Sequence, residues 1–396
     1  MLKINFNILE KAFALCYNAW VIKFSTKPTR KILDGLGCPD KKLKIIHIAG
    51  TNGKGSTAEF FTRILIAAGK RTGTYTSPEV YSFYDQFRVN GKPLNSDIFD
   101  KYRSQALRYA DGASEFEINT ATAISAFAEE GCEWAVIECG MGGKTDATNA
   151  IEKKELAVIT SISLEHTAYL GNTLEEICAQ KAGIINNCPV IVNAHQCGRV
   201  RDYFKGCKFA DKVENIFDGG FIYGGKKFEL KAEGCLQPYN AACAIEGARI
   251  LGIDESAIYE GIKNCKPRGR LERFELNGRE YILDGAHNPA AFEPLKDYLL
   301  SRDCKRTVIF GCLNDKDIDG NLSYITADEI IAVACPSPRA RTLDDTFEHC
   351  RKYFGNKTRR AESVSEALDT ADGEIVVVCG SFTTMKEAFE WIGKRR

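Results

Sequence analysis

Short apolar runs rich in β-branched residues alternate along the first half of the chain with longer segments of helical period. KIIHIA (44–49), TGTYT (72–76), WAVIEC (134–139), LAVITSI (156–162) and VIVN (190–193) read as strands, and helical period falls between them at about 55–69, 96–110, 117–130 and 173–182. Strands alternating with helices predict a parallel sheet covered by helices. The alternation restarts after residue 280 with YILD, TVIFG (307–311), IIAVAC (330–335) and EIVVVC (374–379), which predicts a second α/β unit. Between the two, CKPRGRLE (265–272) combines Pro267 and Gly269 with three basic residues, a composition suited to an exposed connector. The boundary is placed there, giving domains over residues 1–268 and 269–396. FDGGFIYGGKKFEL (217–230) reads as a glycine-turned hairpin, and there is no internal repeat or low-complexity tract.

Length and composition leave this picture in place. A chain of 396 residues exceeds one ordinary core, which also favours two domains. Lys+Arg and Asp+Glu are 53 each, so zero net charge gives no signal for a nucleic-acid or membrane partner. An anionic ligand must then be held by a local cluster of positive groups. The opening MLKINFNILEKAFALCYNAW is broken by polar residues and lacks a signal-peptide run, and no stretch of 18 apolar residues occurs, which makes the cytoplasm the default compartment. Sixteen cysteines, from Cys16 to Cys379, show no CxxC pair and no zinc spacing, so they read as reduced core residues.

The chemistry begins where KIIHIA runs into GTNGKGST, Gly50–Thr57, and then into helical period. Gly50, Thr51, Asn52, Gly53, Lys54, Gly55, Ser56 and Thr57 form a strand, glycine loop and helix start. Backbone N–H groups can turn onto phosphate oxygens there, and the helix N-terminus adds partial positive charge. Lys54 supplies a mobile full charge for the β- and γ-phosphates, while Ser56 or Thr57 offers a hydroxyl to Mg²⁺. The general pattern GxxxxGK[ST] is not met, because its first glycine would fall on Ile48 and Gly55 follows the lysine. Glu138 closes WAVIE at the carboxyl edge of the expected sheet, where ligands of open α/β sheets bind. A carboxylate there suits Mg²⁺, although a solvated strand end is the bland reading.

AGTNGKGST resembles the phosphate loop of the folylpolyglutamate synthase/dihydrofolate synthase branch of the Mur ligase superfamily, and further motifs follow in order. They are TSPEVYSFYDQFRVNG (76–91), ECGMGGKTDATN (138–149), TSISLEHTAYLGNTLEEICAQKAGII (160–185), RGRLE and LDGAHNP (283–289), with weaker agreement at GCLNDKD (311–317) and CGSF. The resemblance implies an α/β fold with an N-terminal P-loop ATPase domain on a parallel-rich sheet and a smaller C-terminal Rossmann-like domain. It also implies metal ligands at Ser77 and His166 beside Ser56 and Glu138, and a Lys181 carbamylated into a carboxylate-like ligand. Two Mg²⁺ ions and a monovalent cation accompany the ATP in this expectation. Phe116, Glu117 and Asp146 correspond to the pterin side, Asn240 to a residue facing the nucleotide base, and Arg270 to a nucleotide contact. Asp284 and His287 correspond to residues that close over the phosphate and the incoming amino acid. Glu165 and Gln180 stand where the family often carries Asp and Glu.

The activity so implied is an ATP-dependent amide ligase that adds L-glutamate to dihydropteroate and/or (tetrahydro)folate. The carboxylate is first phosphorylated to an acyl phosphate, which the amine of glutamate then attacks. A Mur-type ligase acting on a nucleotide-linked precursor is the nearest rival, but it usually carries an extra N-terminal domain, and only about 43 residues precede the first strand. A P-loop NTPase switch would need GxxxxGK[ST] and gains nothing from DGAHNP. The expected partners are small molecules only, and the expected state is a monomer.

Overall fold

The computed structural model describes residues 25–396, so the opening segment and Cys16 lie outside them. Eight strands form the first sheet: β1 (Lys44–Ala49), β2 (Thr72–Tyr75), β3 (Phe87–Val89), β4 (Lys92–Pro93), β5 (Trp134–Glu138), β6 (Leu156–Ile159), β7 (Val190–Asn193) and β8 (Lys208–Ala210). Their order is β4-β3-β2-β5-β1-β6-β7-β8. The ladders from β2 through β8 are parallel, and β3 and β4 add an antiparallel edge. β1 is buried at every residue from Ile45 to Ala49, because helices cover both faces. Lys54–Ala67, Gln237–Ile250 and Glu255–Lys263 pack on one face, and Lys27–Gly35, Ser96–Leu107 and Glu115–Glu129 on the other. β1 lies between β5 and β6, so the carboxyl ends of these three strands open onto one crevice.

β9 (Val213–Phe217), β10 (Gly220–Tyr223) and β11 (Lys226–Glu229) form an antiparallel sheet of three strands where the sequence suggests a single hairpin. The C-terminal sheet has the order β12-β13-β17-β14-β15-β16, from β12 (Glu272–Leu276), β13 (Arg279–Leu283), β14 (Arg306–Phe310), β15 (Glu329–Ala332), β16 (Thr358–Arg360) and β17 (Ile375–Cys379). All its ladders are parallel except β12–β13. The expected mixed α/β architecture with a second, smaller sheet is therefore present.

The structure departs from the sequence reading in further details, among them the short strands β3, β4, β8 and β16, which the sequence reading does not include. The helix expected at 117–130 starts at Glu115, because Ser114 and Glu117 form a capping box ahead of it. β12 has no counterpart among the expected strands, although Asn277 and Gly278, at φ 53° and 72°, supply the two left-handed residues of a tight hairpin turn. The connector is not an exposed strap: Cys265, Pro267 and Gly269 are buried, and a Cβ on Gly269 would sit 2.7 Å from Met385 Cε. The described cysteines are free, and most are buried, Cys139 and Cys379 among them; Cys197 and Cys235 are exposed, outside the expected pattern.

Candidate active site

The glycine loop leaves β1 at Gly50 and runs through Thr51, Asn52 and Gly53 directly into the helix Lys54–Ala67. Gly53 precedes the helix at φ 86°, and a Cβ on it would lie 2.4 Å from Asn240 Oδ1. Gly50 is as tight, since a Cβ there would lie 1.8 Å from Thr160 Oγ1. The loop backbone thus passes against β6 and the helix Gln237–Ile250, and the first N–H groups of the new helix have no partner within it. Thr57 is fully buried and its Oγ1 has no hydrogen-bond partner among the described residues, whereas Ser56 Oγ accepts from Gln237 Nε2 at 3.4 Å. A buried hydroxyl left without a partner beside a helix N-terminus fits a ligand that brings its own acceptor or cation.

Positive charge converges on this loop. Lys54 Nζ donates to the carbonyls of Gly50 at 3.3 Å and Thr51 at 3.1 Å, and it lies 3.9 Å from Glu138 Oε1. Lys181, 3% exposed, donates to the Gly50 carbonyl at 2.6 Å. Burial, reinforced by Lys54, pulls its pKa down to about 7. Glu138 is 4% exposed, and burial pushes its carboxyl up to about 7 against the pull of Lys54, Arg270 and the Ser77 backbone. His166 occupies a left-handed position, φ 51°, at the start of Thr167–Leu170. Burial lowers its pKa to about 4; Glu165 opposes this, and Lys316, Lys54 and Lys181 add to it. The imidazole is therefore neutral at pH 7, the form that ligates a cation.

The C-terminal domain faces this group. Arg270 lies 5.2 Å from the Phe382 ring centroid and acts on both Glu138 and Asp284. Asp284 accepts from the backbone N–H of Leu271 and of Ala286, each at 2.8 Å, which fixes the turn after β13. Burial raises its pKa. His287 donates from Nδ1 to the Gly285 carbonyl at 2.8 Å and turns Nε2 to Glu165, 3.2 Å away. Asn52 of the glycine loop and Asn288 exchange amide hydrogen bonds of 3.1 and 3.0 Å. Lys316 Nζ reaches Glu165 at 3.1 Å. Asn288 and Lys316 were not singled out from the sequence as site residues, although both sit inside motifs that were, LDGAHNP and GCLNDKD. Tyr81 was missed too. It stacks on Phe389 at 3.9 Å and donates to Glu272 at 2.7 Å, joining the loop after Ser77 to the C-terminal domain.

The residues expected on the pterin side divide. Phe116 packs on Gly140, where a Cβ would meet its ring at 2.5 Å, and its centroid is 6.1 Å from Tyr75. Asp146 is buried, with its pKa raised by that burial, and accepts from the backbone N–H of Met141 at 2.8 Å and of Thr148 at 3.0 Å. The carboxylate of Glu117 is engaged by its own capping box, through Ser114 N at 2.6 Å and Ser114 Oγ at 2.7 Å. Asn240 is held in a buried amide cluster, accepting from Asn193 Nδ2 and donating to Gln237 Oε1, both at 3.3 Å.

A glycine loop facing Lys54, Glu138 and Lys181, closed from above by a second α/β domain, has counterparts among known proteins. The family described as Mur ligase middle domain matches residues 48–209, and the Mur ligase glutamate ligase domain matches 269–382. The dihydrofolate synthase/folylpolyglutamate synthase of Bacillus subtilis is 31% identical, over 92% of this chain and 95% of its own length. The chain belongs to the dihydrofolate synthase/folylpolyglutamate synthase family. FolC of E. coli, in complex with DHPP and ADP, has the same fold at a TM-score of 0.86 and 28% identity, with 97% of each chain covered. The bifunctional folylpolyglutamate synthase/dihydrofolate synthase structure with Mn, AMPPNP and L-glutamate bound gives 0.82 at 27% identity, covering 96% of this chain and 98% of its own. As a folylpolyglutamate synthase family member, the chain is an ATP-dependent, ADP-forming ligase. The expected fold and family are borne out, and a switch that only hydrolyses nucleotide is set aside.

Proposed function

We propose that this ligase joins L-glutamate to a pterin-bearing carboxylate, dihydropteroate and/or (tetrahydro)folate, through an acyl phosphate. The observation that carries the reading is the convergence of Lys54, Lys181 and Glu138 on the Gly50–Thr57 loop beneath Arg270 and His287 of the second domain. In this reading the first domain holds the nucleotide phosphates and the pterin, and the second, from residue 269 on, adds Arg270 to the nucleotide and brings the amino acid.

Amide formation from a free carboxylate is uphill in water, so the hydroxyl oxygen must be converted to a phosphate leaving group. The glycine loop cradles the polyphosphate, and Lys54 spreads positive charge over the transferring γ-phosphoryl group. The pterin carboxylate attacks that phosphorus and ADP leaves. The glutamate amine then attacks the acyl carbon, and phosphate departs with the oxygen it captured. Arg270, Asp284 and His287 close the crevice and keep water from the intermediate.

A metal fits the donors present. Glu138, neutral His166, and the hydroxyls of Ser56 and Ser77 are oxygen and nitrogen groups suited to Mg²⁺ or Mn²⁺. Two ions held there would neutralise charge on the phosphates. Among the described residues no three His, Cys, Asp or Glu side chains form a metal cage alone. A carbamate on Lys181 would add the missing anionic oxygens. With its pKa pulled down to about 7, the amine is in substantial part neutral near neutral pH, the form that takes up carbon dioxide, and Lys54 would stabilise the anion formed. Phe116 and Asp146 suit a pterin by stacking and by accepting paired N–H bonds; Glu117 reaches it only by leaving its capping box. Asn240 and Arg270 remain the proposed base and nucleotide contacts. No described helix is long and apolar enough to cross a membrane. A cytoplasmic monomer acting on small molecules remains the proposal.

Purified protein with ATP, Mg²⁺ and L-glutamate is offered dihydropteroate or tetrahydrofolate, and ADP release and product mass are followed. A product heavier by one glutamyl residue is expected with at least one acceptor. ADP release that ignores glutamate would refute the assignment. Oxygen-18 placed in the acceptor carboxylate must emerge in phosphate.

A further inference from the structure

One oxygen of the first domain gathers three donors from the second. Glu165 Oε1 lies 3.2 Å from His287 Nε2, 3.1 Å from Asn288 Nδ2 and 3.1 Å from Lys316 Nζ. The three donors leave different places in the fold, namely the turn after β13, the cap of Pro289–Leu300 and the loop after β14. Such convergence is the geometry of an anion cradle. His287 Nδ1 is already committed to the Gly285 carbonyl, and the side chain of Lys316 is 12% exposed, so the cradle is both oriented and largely shielded from water. It is also in the right place. Asn288 pairs with Asn52 of the glycine loop, and His166, next to Glu165, feels Lys54 and Lys181.

From this we propose that Glu165 is an internal stand-in whose carboxylate competes with substrate for the cradle of His287, Asn288 and Lys316. It is displaced by an anionic oxygen of a substrate, either a carboxylate of the incoming amino acid or the transferred phosphoryl group. The Glu165 carboxylate pairs with the Lys316 ammonium and meets His287 Nε2 and Asn288 Nδ2, and so ties the second domain to the first. Asp at 165, one methylene shorter, would draw the carboxylate back from the donors. Glu165 thereby sets how strongly the second domain resists its anionic ligand. It acts as a positioning residue through the three donors, and this role rests on the ligase reading above.

The test uses the full chain without turnover. Wild type, Glu165→Gln and Glu165→Asp are titrated calorimetrically with L-glutamate and, separately, with inorganic phosphate. Glu165→Gln should bind one of the two anions several-fold tighter than wild type, and the anion that gains names the source. Unchanged or weaker binding of both overturns the stand-in. If Glu165→Gln melts below the assay temperature, Glu165→Asp decides by the same criterion. In steady state the same variant should lower KM for glutamate or ATP with kcat falling less than KM does. Wild type without glutamate-dependent ADP release would sink the ligase reading and leave the affinity comparison standing on its own.

Discussion

Gly53 shows how much one position can require. Its φ of 86° is open to few side chains, and the space for a Cβ is taken by Asn240 Oδ1 at 2.4 Å. Gly53→Ala is expected to cost about 1–3 kcal/mol of stability and to abolish ATP-analogue binding, read by denaturant unfolding and by calorimetry. Glu138 and Lys181 carry a second residue-scale consequence. The folded carboxyl titrates near 7 instead of 4.5, so the native state holds more protons between those values and stability falls as pH rises through that window. The folded amine titrates near 7 instead of 10.5, so the unfolded state holds more protons above 7 and stability rises with pH there. Ligand-free protein should therefore show a minimum in unfolding free energy near pH 7, and Lys181→Met should flatten its alkaline side. The same variant should gain about 1–3 kcal/mol at neutral pH, since an apolar chain replaces a buried amine, while ADP release is lost. Rigorous removal of carbon dioxide and bicarbonate should silence the wild type; full activity there would refute the carbamate.

At the scale of elements, the loop that follows β2 is a strap between domains. Ser77 opens it beside Glu138, and Tyr81 ends buried in the core of the C-terminal sheet against Phe389. Arg268 of the connector covers Tyr81, 4.6 Å from its ring centroid, and pairs with Asp85 at 2.9 Å. Tyr81→Ala should destabilise by about 3–4 kcal/mol and lower kcat more than it raises KM for ATP, because Ser77 loses its tether. Tyr81→Phe, which loses only the bond to Glu272, should cost about 1 kcal/mol and keep most activity. Helices and strands of this kind were legible where one period dominates, as in KIIHIA or the helix behind it. The third strand of the β9–β11 sheet and β12 were not, because short antiparallel strands are read from their turns, and the Asn277–Gly278 signal went unused.

Among the contacts that join the domains, two are unlike in kind, and a third ties Glu233 to Arg273 and Tyr298. The contact at Tyr81, Phe389, Met385 and the connector is apolar and covalently reinforced, while the contact at Asn52, Glu165, His287, Asn288 and Lys316 is polar and adjoins the glycine loop. Polar groups exchange partners with water at little net cost, so the second edge is the one expected to open to ligands. Asn52→Ala removes the reciprocal amide pair and should reduce kcat/KM about tenfold, roughly 1.4 kcal/mol, with a larger radius of gyration in X-ray scattering. The sequence alone determined the alternation of strands and helices, the phosphate loop and the ordered motifs, because these are written in local period and in contiguous residues. Tertiary structure decided what shares a space. Glu117 is spent on its own helix start, Asn240 props Gly53, and the buried connector is an interdomain wedge. Burial among other charges sets the titration of Lys181 and Glu138, and the meeting of Glu165 with Lys316 spans 151 residues of chain. No local pattern can state such a proximity, since it exists only where two separate sheets meet across one crevice.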